Sequence, residues 1–302
     1  MVIRSTHGCA RLGGWVRGLR AAMLLALAAG PGAWGATTNV LVLGNASDFF
    51  VPEDYDGDGR TDPAVWRSGS EGAARFMYFS SAAGVIVTNI IGQTGDDPSV
   101  VADYDGDGRA DPALYRAGAA AGQTSTWFFI LSGGDGQVSS IRWGLNGDFP
   151  CPGDYDGDGS ANLTVQRNAG GGSAAFHIRT PSGGTNIVIH GNTTDVVVPG
   201  DYDGDQRTDL ATIRGIGGQI VWSIRLSTSG LIRSNAFGVS ATDFPIQGDY
   251  NGDGFTDLAV WRPSAGGGTN YVHFSPFVGT NTDLAIPFGQ NGDYPPANYN
   301  AH

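Results

Sequence analysis

Five times along the chain the same acidic string returns at nearly constant spacing. Asp-Tyr-Asp-Gly-Asp-Gly begins at Asp54, Asp103 and Asp154, and near copies begin at Asp201 (DYDGDQ) and Asp249 (DYNGDG), at steps of 49, 51, 47 and 48 residues. A decayed start, Asn298-Tyr299-Asn300, comes 49 residues after the last. A period of this length restricts the architecture to repeated supersecondary units that bury their apolar faces on one another.

More than the string recurs. Ahead of each copy stand a glycine and an aspartate: Gly44 with Asp48, Gly92 with Asp96, Gly144 with Asp148, Gly191 with Asp195, Gly238 with Asp243 and Gly289 with Asp293. Behind each whole copy a short strand ends in arginine, at Arg67, Arg116, Arg167, Arg214 and Arg262, and a repeated Arg–Asp ion pair is one reading of that pattern. Segments 75–80, 127–132, 222–227 and 271–275 are rich in aromatic and β-branched residues between Gly and Ser clusters, which adds further strands to each unit. The 49 glycines of 302 residues fit a turn-rich all-β chain, and no stretch past residue 35 has sustained helical periodicity.

Four short strands in 40 to 50 residues is the size of a propeller blade. The expectation is an all-β β-propeller of about five four-stranded blades, with repeats at about 48–95, 96–147, 148–194, 195–242 and 243–292. The alternative is an incomplete part of a six- or seven-bladed ring. Residues 37–44 read as the fourth strand of a blade and residues 293–300 as a first strand. The favoured arrangement is five blades with the amino-terminal strand capping an edge.

Residues 1–35 read as an export signal: Arg4, Arg11, Arg17 and Arg20 precede the apolar run 21–29, and small residues Ala33 and Gly35 place cleavage near Ala36. That run is about half the length a membrane span needs. The mature chain, 36–302, is thus expected to be secreted, without membrane insertion. Cys9 leaves with the signal and Cys151 stays without an intrachain partner, so a bound metal is a natural substitute fastening.

The loops supply the ligands for one. In the first, carboxylates of Asp54, Asp56, Asp58 and Asp62 occupy positions 1, 3, 5 and 9, the Arg60 carbonyl stands at 7, and glycine at 6 makes the turn. Oxygen donors at this spacing are what Ca²⁺ requires. The matching sets are Asp103, Asp105, Asp107, Arg109 and Asp111; Asp154, Asp156, Asp158, Ser160 and Asn162; Asp201, Asp203, Asp205, Arg207 and Asp209; and Asp249, Asn251, Asp253, Phe255 and Asp257. Position 12, glutamate in an EF-hand, is a strand residue here (Val65, Leu114, Val165, Thr212, Val260). Mg²⁺ favours fewer carboxylates with retained waters. The bland alternative is that Asp and Gly simply make turns. The third loop, with Asn162, and the fourth, with Gln206 in place of glycine, are the weakest copies.

The whole unit, GxxGDxPxPGDYDGDG followed by a strand ending in arginine and best seen from Gly144, resembles the FG-GAP / VCBS repeat family. Its members are similar to the calcium-loop blades of integrin α-subunit propellers and of a fungal lectin propeller. The resemblance covers essentially all of residues 36–302 and implies a propeller with Ca²⁺ loops at one rim. It departs in repeat number, since those propellers usually have seven blades.

The net charge of −12 argues against a nucleic-acid partner. It arises at the loops: these and the aspartates ahead of them hold 24 of the 29 acidic residues. Because the carboxylates are claimed by metal, no catalytic set is assigned and the chain is read as a non-enzyme. A Ca²⁺-dependent polysaccharide lyase is the form an activity would take. Trp66, Trp127, Trp143, Trp222 and Trp261 either pack between blades or stack on sugars. His177, His190, His273 and His302 lack a zinc-like cluster. The expected function is an adhesion or interaction module with an extracellular protein or carbohydrate partner, the alternative a glycan-binding lectin.

Overall fold

The computed structural model describes residues 23–26, 38–45, 47–264, 267–274 and 283–287. Most of the expected signal segment, and residues 288–302, lie outside them. All regular structure among the described residues is β-strand, arranged as a five-bladed β-propeller.

Blade 1 comprises β3 (Phe49–Phe50), β4 (Ala64–Arg67), β5 (Arg75–Ser80) and β6 (Val85–Ile90), paired antiparallel in that order. Blade 2 comprises β7 (Ala113–Arg116), β8 (Thr124–Phe129) and β9 (Ser139–Leu145), its first strand reduced to a bridge between Asp97 and Tyr115. Blade 3 holds β10 (Phe149–Pro150), β11 (Thr164–Gly170), β12 (Ser173–Arg179) and β13 (Thr185–Asn192). Blade 4 holds β14 (Val196–Val197), β15 (Leu210–Ile216), β16 (Gln219–Arg225) and β17 (Ile232–Val239). Blade 5 holds β18 (Phe244–Pro245), β19 (Leu258–Ser264), β20 (Gly267–His273) and β21 (Asp283–Pro287). First strands are two residues long, and those of blades 3 and 5 carry proline, which suits a sheet edge where no further N–H is needed.

The core lies between blades. Val51, Tyr55, Trp66 and Phe76 of blade 1 pack on Val101, Ala110 and Leu114 of blade 2. Tyr202, Trp222 and Ile224 of blade 4 likewise meet Leu258 and Val260 of blade 5. Trp66, Trp127 and Trp222 are fully buried, and each indole N–H donates to a carbonyl in or just past the fourth strand, at Ile91, Trp143 and Phe237. Sequestering such a ring contributes roughly 5 kcal/mol as an upper estimate. The loops are joined as well: a backbone N–H of each loop donates to the first aspartate's carbonyl in the loop before it. These bonds run from Ala110 to Asp54 (2.8 Å), Ala161 to Asp103 (2.6 Å), Thr208 to Asp154 (2.6 Å) and Thr256 to Asp201 (2.6 Å).

The amino-terminal strand departs from expectation. β2 (Thr38–Leu41) pairs antiparallel with β1 (Met23–Ala26) rather than with a blade edge among the described residues. The apolar run just upstream is the nearer partner in sequence, so closing that loop costs less entropy.

Candidate metal centres

Each acidic loop joins the first and second strands of a blade, and its shape follows from one side chain. Asp54 at position 1 accepts from the Gly57 and Gly59 N–H groups (2.7 and 2.8 Å). Asp103, Asp154, Asp201 and Asp249 repeat this with the N–H groups at their own positions 4 and 6. Position 4 and, in four loops, position 6 are glycine at positive φ, where a β-carbon is costly. In the fourth loop Gln206 takes that conformation at φ 64°, the one non-glycine residue to do so among those described.

The position-9 side chain closes the loop by accepting from the position-2 tyrosine N–H: Asp62 to Tyr55 (3.1 Å), Asp111 to Tyr104 (2.8 Å), Asn162 to Tyr155 (2.8 Å), Asp209 to Tyr202 (3.0 Å) and Asp257 to Tyr250 (2.9 Å). Position 5 (Asp58, Asp107, Asp158, Asp205, Asp253) accepts from the position-7 N–H of Arg60, Arg109, Ser160, Arg207 and Phe255 at 2.9–3.0 Å. Position-7 side chains of blades 2 to 5 lie over the position-4 glycine of the preceding loop. A β-carbon added at Gly57, Gly106, Gly157 or Gly204 would meet Arg109, Ser160, Arg207 or Phe255 within 3.0 Å.

Carboxylates converge in four loops: Asp54, Asp56 and Asp58; Asp103, Asp105 and Asp111; Asp154, Asp156 and Asp158; and Asp201, Asp203 and Asp209, each group offering oxygens within 4.8 Å of one another. The fifth loop differs because Asn251 stands at position 3 and donates its amide to Asp253 (3.0 Å). In the third, Asn162 similarly donates to Asp156 (3.2 Å). Asp111 and Asp209 are fully buried; burial pushes each carboxyl up to about 7, with Asp105 and Asp203 adding repulsion. Asp56 is partly desolvated, yet hydrogen bonds from Ser80 and the Ala82 N–H hold it below the usual range. The Oδ1 atoms of Asp105 and Asp203 are shut from solvent and accept no hydrogen bond. Such orphaned oxygens inside an all-oxygen cluster fit a hard divalent cation.

A set of residues at these centres has no counterpart in the ligand spacing. Ser81, Ser132 and Ser227, just past the third strand, donate a hydroxyl to position 5 (2.8 Å each) and a backbone N–H to position 9 (2.6–2.7 Å). The signal was there: third-strand segments repeatedly run into serine.

Outside the loops, the Arg–Asp pairing is formed in all five blades. Arg67, Arg116, Arg167, Arg214 and Arg262 meet Asp48, Asp96, Asp148, Asp195 and Asp243 at 2.6–2.8 Å, with the carboxylates buried. The same aspartates cap the preceding turn, as where Asp96 accepts from the Gln93 N–H (2.8 Å). Of the five tryptophans weighed as sugar platforms, Trp66, Trp127, Trp222 and Trp261 are buried, which removes them from that role. The inner ends of the loops of blades 2 to 5 line a cavity of about 370 Å³, with Pro152, Pro199, Gln206 and Arg207 on its wall.

Residues 247–274, spanning the fifth loop and the two strands after it, match the family model described as FG-GAP repeat. No curated protein matches the chain. Among solved structures, a triple arginine-to-alanine mutant of AofleA from Arthrobotrys oligospora is similar in fold at 12% identity. The match covers 86% of this chain and 78% of that one, with a TM-score of 0.52. The chain is thus a β-propeller bearing an FG-GAP repeat, whose loop geometry recurs in each of its five blades.

Proposed function

We propose that the protein is a secreted, calcium-binding interaction module in which Ca²⁺ is structural and the propeller presents a surface to an extracellular protein or carbohydrate. The observation that carries the calcium reading is the pair of orphaned, buried Oδ1 atoms of Asp105 and Asp203 within carboxylate clusters. Position-1 carboxylates are consumed by loop N–H groups and the aspartates ahead of the loops by arginines, which leaves these residues structural roles rather than acid–base ones. When bound, the ion would offset the repulsion that raises Asp111 and Asp209 and would fix each loop against its neighbour.

The test is a melting curve in calcium and in chelator. Saturation at a hundredfold over Kd adds about 2.7 kcal/mol per site, so the melting temperature should fall clearly in EDTA. An unchanged melting temperature would refute the reading. A glycan is the alternative class of partner, and a glycan array with and without EDTA separates it from a protein partner.

A further inference from the structure

The third loop, between β10 and β11, is closed differently from those of blades 1, 2 and 4. In those three, a serine past the third strand (Ser81, Ser132 or Ser227) donates its N–H to position 9, Asp62, Asp111 or Asp209, at 2.6–2.7 Å, and its hydroxyl to position 5 at 2.8 Å. Equivalent backbone bonds from Phe79 to Pro63, Ile130 to Pro112 and Arg179 to Leu163 fix the register of the third strands. Two residues further on, where Ser81 and Ser132 stand, blade 3 has Pro181. Proline has neither an N–H nor a hydroxyl to give.

Position 9 changes with it. Asn162 spends its Oδ1 on the buried Tyr155 N–H (2.8 Å), so the amide cannot turn over without leaving that donor unpaired. Its Nδ2 donates to Asp156 (3.2 Å). Where Asp111 and Asp209 present a second carboxylate oxygen to a serine N–H, the third loop therefore presents a donor, and Pro181 sets no competing N–H against it. At position 3, Asp105 and Asp203 keep a buried Oδ1 with no hydrogen bond, whereas Asp156 accepts the Asn162 amide. Oxygens of Asp154, Asp156 and Asp158 still converge within 4.8 Å, but position 9 does not join them as it does in the second and fourth loops.

We propose that the third loop closes without a metal ion: the Asn162 amide stands in for the cation against Asp156, and calcium is held by the second and fourth loops on either side. The inference rests on the calcium reading above and sets which loops answer to the ion. Blade 3 is bonded to both neighbours, through the Ala161 N–H to Asp103 and the Thr208 N–H to Asp154. It is thus a calcium-independent link between two calcium-dependent loops.

Native mass spectrometry of the full-length protein in saturating calcium counts the ions. Asp105→Ala and Asp203→Ala should each bind one ion fewer than the wild type, while Asp156→Ala binds the same number. The Asn162→Asp, Pro181→Ser double variant, which rebuilds the closure of the second and fourth loops, should bind one more. Loss of an ion in Asp156→Ala, full retention in Asp105→Ala or Asp203→Ala, or a folded double variant that gains none would overturn this inference and leave the calcium reading standing. A wild type that takes up no calcium would overturn both.

Discussion

Asp111 and Asp209 show how a single buried carboxyl ties this fold to solution conditions. Their folded values near 7 lie above the ordinary carboxylate range, so in chelator each favours folding most at low pH and loses that contribution between about pH 4 and 7. Between pH 5 and 8 in EDTA, the wild type should therefore lose more melting temperature than the Asp111→Asn, Asp209→Asn double variant. Equal losses would count against the raised values. Gln206 carries the opposite kind of burden, a side chain where the backbone wants none. Replacing it with glycine relieves about 1–2 kcal/mol of left-handed strain and gives back part through unfolded-chain entropy. The expected net gain is about 0.5–1 kcal/mol in a denaturant titration.

At the scale of loops and strands, the Arg–Asp bridges join the second strand of each blade to the turn before its first. Removing Arg116 strands a buried Asp96 carboxylate and also takes away the guanidinium that lies over the Phe128 ring. Arg116→Ala should cost about 2–3 kcal/mol, and Asp96→Asn in the same chain should recover part of it. The seams make a second contrast. Gly204 and Gly252 have nearly the same φ (75° and 76°), yet only Gly204 has the Phe255 ring above it. Gly204→Ala should therefore destabilise by about 1–2 kcal/mol more than Gly252→Ala, read from urea midpoints. Much of this level was legible in sequence, because the loop carboxylates, the turn glycines and the Arg–Asp partners lie within one unit at fixed offsets. What stayed hidden crosses units or depends on strand ends. The position-8 N–H groups reach a loop some fifty residues earlier, and Ser81, Ser132 and Ser227 reach their loops only once the third strand has returned. The pairing of β2 with β1 was missed for a related reason, since an apolar run set aside as a signal offers no strand to pair with.

For the molecule as a whole, four core clusters are shared between successive blades, and a fifth, around Trp261 and Val272, lies within blade 5. Stability is then a chain of nearest-neighbour terms rather than one global sum. The seams also have a direction. Each of the first four loops holds out a carbonyl, at Asp54, Asp103, Asp154 or Asp201, to an N–H that belongs to the following blade. As the polypeptide emerges from its amino-terminal end, each finished blade is a template with its acceptor and bare glycine already in place, and the next can seat on it at once. The order of synthesis and the order of docking are the same, so a nascent propeller of this kind can be laid down course by course, each layer sheltering the apolar face of the last.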